Sequence, residues 1–140
     1  MDRPITGGIE VTREGWLHIQ LNALLPHCKY GSVSAVEDAI HTLLNGYFGR
    51  LPHFERAFLF IDEYSNRETQ NVYDQDNKGW KSVGNALKGR IYPDDDQYTL
   101  SICLLSKQSK DAVCHIYVTP QEDGSRFLER REKGYACTPM

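Results

Sequence analysis

The order of patterns along this 140-residue chain predicts a small α/β sandwich, an α+β fold in which helices pack on one face of a mixed β-sheet. Three observations carry that expectation. The segment from Trp16 to Leu24 alternates apolar and polar residues, and Ala57-Phe-Leu-Phe-Ile61 is a continuous apolar run, so both read as strands. Between them Val36, Ile40, Leu43, Leu44 and Tyr47 recur at helical spacing. Two further strand-like stretches follow a second helical pattern.

In Trp16–Leu24 the residues Leu17, Ile19, Leu21 and Ala23 share one side, as expected of a half-buried strand. Ser34-Ala-Val-Glu37 fits a capping box, which predicts a helix from about Ser34 to Phe48, stopped near Gly49. Ala57–Ile61, bounded by charges, has the length and composition of a central strand. Asp62 to Tyr73 carries no apolar period and reads as a loop. Asp76 and Asn77 offer N-caps for a second helix, and Gly89 offers its stop. On that helix Trp80, Val83, Gly84 and Leu87 make one face, while Lys78, Lys81, Asn85 and Lys88 make the opposite one. Gln97 to Leu105 and Val113 to Thr119 are the last two strands, and the polar Ser106–Asp111 between them predicts an antiparallel hairpin. These elements define one domain over residues 1–120. The charged stretch 121–140 has no period and reads as a weakly ordered tail or a short terminal helix.

Hydrophobic residues at 40% and charged residues at 25% are ordinary for a globular chain. No apolar stretch approaches the roughly 18 residues of a membrane span, and the Met-Asp-Arg-Pro start has no apolar signal region, so a cytoplasmic protein with no membrane partner is expected. The four cysteines, Cys28, Cys103, Cys114 and Cys137, are far apart and without zinc-ligand spacing; Cys103 and Cys114 read as reduced core residues. The five histidines form no nucleophile triad with Ser or Cys, and no Gly-rich phosphate loop points to a small-molecule cofactor. A net charge of −3 weighs against a nucleic-acid partner, although cations bound to an acidic cluster reverse its sign for phosphate.

The chemistry-bearing stretch is Asp74 to Tyr98, with carboxylates at both ends of the second helix. Hard divalent cations take oxygen ligands, so Asp74 and Asp76 before the helix and Asp95 and Asp96 after it are a Mg²⁺ (or Mn²⁺) donor set if the two ends meet. Each feature also has an ordinary reading. Asp-Asn before a helix is commonly a cap, Pro-Asp-Asp-Asp a solvated turn, and a lysine face the solvent side of a helix.

Taken in order, Asp74-x-Asp76-Asn77, Lys81, Asn85-Ala86-Leu87 and Asp95-Asp96-Gln97 resemble the signature of the RusA-type Holliday junction resolvases. The motif resemblance covers residues 74–98, and the order of elements extends it over 16–119. It implies a RusA-like fold, a homodimer, Mg²⁺ dependence and hydrolysis of phosphodiester bonds in branched DNA during recombination and repair, leaving a nick with a 5′-phosphate. Carried over, Asp74, Asp76 and Asp96 match the catalytic, metal-binding carboxylates, Asp95 a neighbouring acid, and Lys81 the catalytic lysine. Lys78, Lys81, Asn85 and Lys88 would follow the DNA backbone.

Three departures stand beside the match. One extra residue separates Asp76-Asn77 from Lys81, which on a continuous helix turns a side chain by about 100°. Either the insertion lies at the helix start, or Lys81 points away and Lys78 takes its place. Asn85 replaces an aspartate of the signature, and the chain is acidic where the resembled enzymes are basic. The resemblance therefore leaves a second reading, a RusA-like module of a mobile element that binds nucleic acid or regulates without cutting. A third, a small phosphohydrolase using the same carboxylates on a nucleotide, has no phosphate loop behind it.

Overall fold

The structure, a computed structural model, describes residues 5–28, 33–69, 74–75 and 78–134. Its elements in chain order are β1 (Gly7–Val11), β2 (Leu17–Leu21), α1 (Val33–Gly46), β3 (Ala57–Ser65), α2 (Trp80–Leu87), β4 (Leu100–Gln108), β5 (Val113–Pro120), a 3₁₀ turn (Gln121–Asp123) and α3 (Gly124–Glu132). The five strands form one mixed sheet in the order β1-β2-β5-β3-β4. This is the α+β sandwich that the patterning predicts, with one strand more.

β1 is the added strand. Its Gly-Gly-Ile-Glu-Val sequence carries two glycines and a carboxylate, too little apolar material to signal a strand. It forms by pairing antiparallel with β2 across a tight turn, in which Gly15 takes φ +88° and donates its amide N–H to Thr12 O at 2.9 Å.

The expected hairpin of the last two strands does not form. β4 pairs parallel with β3, and β5 pairs antiparallel with β3 and β2, so β3 lies between them. Two causes act together. β3 is apolar on both faces and needs a neighbour on each side. The α2 crossover also returns the chain parallel to β3, after which residues 109–112 step over the end of β3, where Ser109 N–H donates to Ser65 O at 2.8 Å.

Alternation then sorts the side chains. Leu17, Ile19 and Leu21 of β2, Leu59 and Ile61 of β3, and Cys114, Ile116 and Val118 of β5 face α1 and α2 in the larger core. α1 contributes Val36, Ile40 and Leu44, and α2 contributes Val83, Ala86 and Leu87. Tyr92, fully buried, donates its hydroxyl to Gly84 O at 2.9 Å and locks the end of α2 to the turn that follows.

α3 packs on the opposite face of the sheet, so the helices do not all share one side. Phe127 is fully buried there, with its ring 3.9 Å from that of Phe60, and it meets Trp16 edge-on at 6.0 Å. The Trp16 indole N–H donates to Asp123 Oδ2 at 2.9 Å, and Arg130 pairs with Glu14. The domain drawn to residue 120 therefore continues through α3; the period of so short a helix, apolar at Phe127 and Leu128 only, is hidden among charges. Residues 135–140, including Cys137, lie outside the described residues. Cys28, Cys103 and Cys114 are free thiols, and burial raises the pKa of Cys114. Among the described residues no helix is long and apolar enough to cross a membrane.

Candidate functional site

Glu63 places the start of α2. It lies near the end of β3 on the helix-covered face, where its Oε2 accepts the Leu25 amide N–H at 2.7 Å and stands 3.4 Å from Lys78 Nζ. A carboxylate inside a fold must find such partners. Beside it the Gly79 amide N–H donates to Pro26 O at 2.7 Å, and Ser82 Oγ donates back to Gly79 O at 2.6 Å. Residues 25–26, β3 and the segment before α2 are thus clamped together.

This clamp corrects the expected place of Lys78. Lys78 precedes the helix, so helical spacing does not reach it, and it is buried against Glu63 rather than exposed with Lys81, Asn85 and Lys88. It is not an exposed substitute for Lys81. α2 begins only at Trp80, so Lys78 and Gly79 precede the helix. Lys81, in the first turn, is exposed with its Nζ 5.9 Å from the Trp80 ring, and Asn85 is exposed one turn later. Both line a cleft of about 240 Å³ together with Cys28, Glu37 and Trp80.

The acidic stretches sit at the two ends of α2. Asp74 is exposed; Asp76 and Asn77 lie outside the described residues. After the helix, Lys88 Nζ stands 3.5 Å from Asp95 and 3.9 Å from Asp94, while Asp96 Oδ1 accepts the Tyr98 and Thr99 amide N–H groups at 2.8 and 2.9 Å. Those donors, the Tyr98 amide first, hold the Asp96 carboxyl below the usual carboxylate range, so it is an anion at neutral pH.

Backbone anchors tie the described residues of the two stretches towards different ends of β3. Gln75 O accepts the Lys78 amide N–H at 3.2 Å, which ties residues 74–75 to the Glu63 end of β3. Asp96 O accepts the Leu100 amide N–H at 3.0 Å, and Leu100 pairs with Ala57 at the other end. Six residue steps along β3 separate those anchors, roughly 20 Å at about 3.3 Å per step. The shared site that a short helix was expected to create is therefore not assembled within one chain by the described residues: among them no group of three or more His, Cys, Asp or Glu stands close enough to hold a metal ion. The donor chemistry of Asp74, Asp95 and Asp96, exposed hard oxygens, does suit Mg²⁺ or Mn²⁺.

A family model, described as a family of unknown function (DUF6100), matches residues 3–136. The chain belongs to that family. The match spans every described strand and helix of the sheet sandwich, together with both acidic stretches and the residues that line the cleft. No curated protein matches the chain.

A second polar cluster, invisible in the sequence because its members are distant along it, lies on the α3 face. His18 Nδ1 is 2.8 Å from Glu10 Oε2, and His18 Nε2 is 3.0 Å from His115 Nδ1. Strand register makes these contacts, since Glu10 pairs with His18 and His18 with Tyr117. With both rings neutral the bonds run one way, His115 donating to His18 and His18 donating to Glu10. Burial lowers the pKa of His18, partly offset by Glu10; burial, then His18, lowers that of His115 to about 4. An unfolded histidine takes up its proton near pH 6.5, so stability is fully present above that pH and is lost as pH falls towards 4. The loss expected is about 2 kcal/mol, at roughly 1.4 kcal/mol per pH unit and discounted for partial solvent access. Urea midpoints at pH 7.5 and 4.5 would read it, and His115→Gln should flatten the difference.

Proposed function

We propose that this chain is a metal-dependent, structure-selective endonuclease of the RusA type, acting on branched DNA as a homodimer. One observation carries the reading most of the way: α2 starts at Trp80, so the inserted residue is absorbed before the helix and Lys81 and Asn85 stand exposed one turn apart, in the order the signature requires. The described signature residues outside the core, Asp74, Lys81, Asn85, Asp95 and Asp96, are all exposed, while Ala86 and Leu87 are buried as α2 core residues.

The roles follow from the chemistry of each group. Lys81 presents a fixed positive charge where negative charge grows on phosphoryl oxygens. Asn85 donates to a neighbouring phosphate and Lys88 steers the backbone. Asp74, Asp76 and Asp96, with Asp95 beside them, are the carboxylates that would hold Mg²⁺ or Mn²⁺; such an ion supplies an activated water and neutralises phosphoryl charge. The distance between the anchors of Asp74 and of Asp96 supports the homodimer. One copy's Asp96 would complete the other's Asp74 and Asp76, and a two-fold dimer suits a junction whose resolution needs two symmetric cuts. A RusA-like binding or regulatory module is the second reading, favoured by the pairing of Lys88 with Asp94 and Asp95.

Two lysine substitutions separate chemistry from folding. Lys81→Ala should lower junction cleavage by about 10²–10³ with an unchanged melting temperature, the range for loss of one transition-state contact. Lys78→Ala should instead cost about 2 kcal/mol of stability, because it strips a buried cation from Glu63, and should leave the cleavage rate of the folded protein nearly unchanged. Single-turnover cleavage and thermal melts of the two variants test this together; a cleavage defect in Lys78→Ala with none in Lys81→Ala would reverse the assignment.

A further inference from the structure

Among the described residues the sheet has two free edges, and they are not alike. β1 is short, and its glycines and Glu10 give an added strand little apolar surface to cover. β4 is nine residues long, and its Ile102-Cys-Leu-Leu105 run is apolar on both faces. Leu104 packs against the larger core, Cys103 and Leu105 against the smaller one, each only partly covered, while Ile102 is 38% exposed. Edge strands are commonly protected by a proline or a bulge; β4 contains no proline, and its register with β3 runs from Leu100 to Gln108 without a bulge.

The ladder with β3 fixes which backbone groups of β4 are free. The Ala57 amide N–H donates to Thr99 O at 2.8 Å and the Ser109 amide N–H to Ser65 O at 2.8 Å, so the odd-numbered residues of β4 turn their N–H and C=O groups towards β3. The even-numbered residues turn theirs outward. Of these, Leu100 has already given its N–H to Asp96 O, and Ser106 O accepts Arg131 Nη2 with a second lone pair to spare. The free row over the apolar run is therefore Ile102, Leu104 and Ser106, centred on Leu104.

We infer that two copies of this chain pair antiparallel through β4, about a two-fold axis at Leu104, into one continuous sheet. Leu104 then lies opposite the partner's Leu104, and Ile102 opposite the partner's Ser106, as hydrogen-bonded pairs of outward amides. Cys103 lies opposite the partner's Leu105 on the α3 face. A two-fold at Ile102 would need the Leu100 N–H that Asp96 holds, and one at Ser106 would set the Lys107 side chains of the two copies diagonally across from each other. Charge agrees with the direction of pairing. Asp94, Asp95 and Asp96 precede β4, whereas Lys107 and Lys110, exposed and without a carboxylate partner among the described residues, follow its apolar run. Antiparallel copies set each cationic end towards the other's acidic start.

The pairing also bears on the candidate site. It brings Leu100, which the Asp96 turn holds, opposite the partner's Gln108, and Gln108 pairs with Ser65 at the end of β3. One copy's Asp96 is thereby carried to the end of β3 to which the other's Asp74 is tied. That consequence rests on the proposed nuclease; the pairing itself does not.

The test is a cross-link that reads the register. In a chain carrying Cys28→Ser and Cys137→Ser, addition of Leu105→Cys should give a disulfide-linked dimer on treatment with diamide, joined from Cys103 to residue 105 of the partner. Non-hydrogen-bonded antiparallel pairs hold Cα atoms about 4.5 Å apart, within disulfide range. The same chain without Leu105→Cys should stay unlinked. Ile102→Pro removes an outward N–H and no bond to β3, so it should raise the dimer dissociation constant about tenfold or more in sedimentation, with a native circular dichroism spectrum.

A native chain that sediments as a monomer at every concentration overturns the pairing. So does a dimer that Leu105→Cys fails to link, in which case the proposed homodimer uses another surface. A native chain that pairs through β4 but leaves a four-way junction uncut with Mg²⁺ and Mn²⁺ supports the pairing while the nuclease falls.

Discussion

Asp96→Asn should abolish cleavage of a four-way junction, with a rate loss of at least about 10³, and should leave the melting temperature where it was. The expectation rests on the two jobs of this side chain. Its Oδ1 accepts the Tyr98 and Thr99 amides, which shapes the turn into β4, and its negative charge is the property a divalent cation needs. Asparagine keeps an oxygen for the amides, since Asn and Asp are near-equal caps of exposed backbone N–H groups, but it carries no charge. Asp96→Ala would confuse the two effects. Asp74→Asn should be equally inactive. If the site is completed between copies, mixing these two inactive variants and allowing subunits to exchange creates mixed dimers with one intact site, and should restore about a quarter of the native sites. Calorimetric titration with Mn²⁺ should recover binding in the same mixture. No recovery, from variants of a protein that is active in its native form, would place all the carboxylates of one site in one chain.

The largest stability effect should come from Arg131→Ala. Arg131 Nε donates to Asp62 Oδ2 at 2.7 Å and its Nη2 to Oδ1 at 3.1 Å, a two-pronged pair, and Nη2 also donates to Ser106 O at 3.1 Å. Asp62 is fully buried on the face of the sheet that α3 covers. Removing the guanidinium takes two charge-assisted bonds from a carboxylate inside the protein, and breaking such a pair costs about 3–5 kcal/mol. It also releases the end of α3 from β3 and β4, so Phe127 should lose part of its packing. A melting-temperature drop of roughly 10–20 °C is expected for a domain of this size. A double-mutant cycle with Asp62→Asn should give a coupling of at least about 2 kcal/mol. Coupling near zero would mean that α3 is held by its apolar contacts and the Arg130–Glu14 pair without help from Asp62.

Local pattern made much of this fold legible. α1 was readable because Val36, Ile40 and Leu44 repeat on one side, and β3 because no other element explains five apolar residues between charges. What escaped was non-local. Nothing in residues 106–111 tells a hairpin from a step over a third strand; that choice is made by β3, which accepts neighbours on both edges. β3 also runs through Asp62 and Glu63, whose charges imitate a loop in sequence and are satisfied by Arg131 and Lys78 from elsewhere in the chain.

The candidate site divides in the same manner. Lys81 and Asn85 were readable as an exposed face because α2 carries them, whereas extending that period two residues before the helix begins misplaces Lys78. The acidic stretches were legible as a motif, but their distance was not, since it depends on which end of β3 each is tied to. Glu10, His18 and His115 gave no signal, because strand register alone brings them together.

The most direct measurement is incubation of the native chain with a synthetic four-way junction and with a linear duplex of the same sequence, with Mg²⁺, with Mn²⁺ and with chelator. Paired, metal-dependent nicks near the branch point and none in the duplex are the predicted result. A junction left intact under every metal condition, with no heat of Mn²⁺ binding to the protein, would contradict the nuclease.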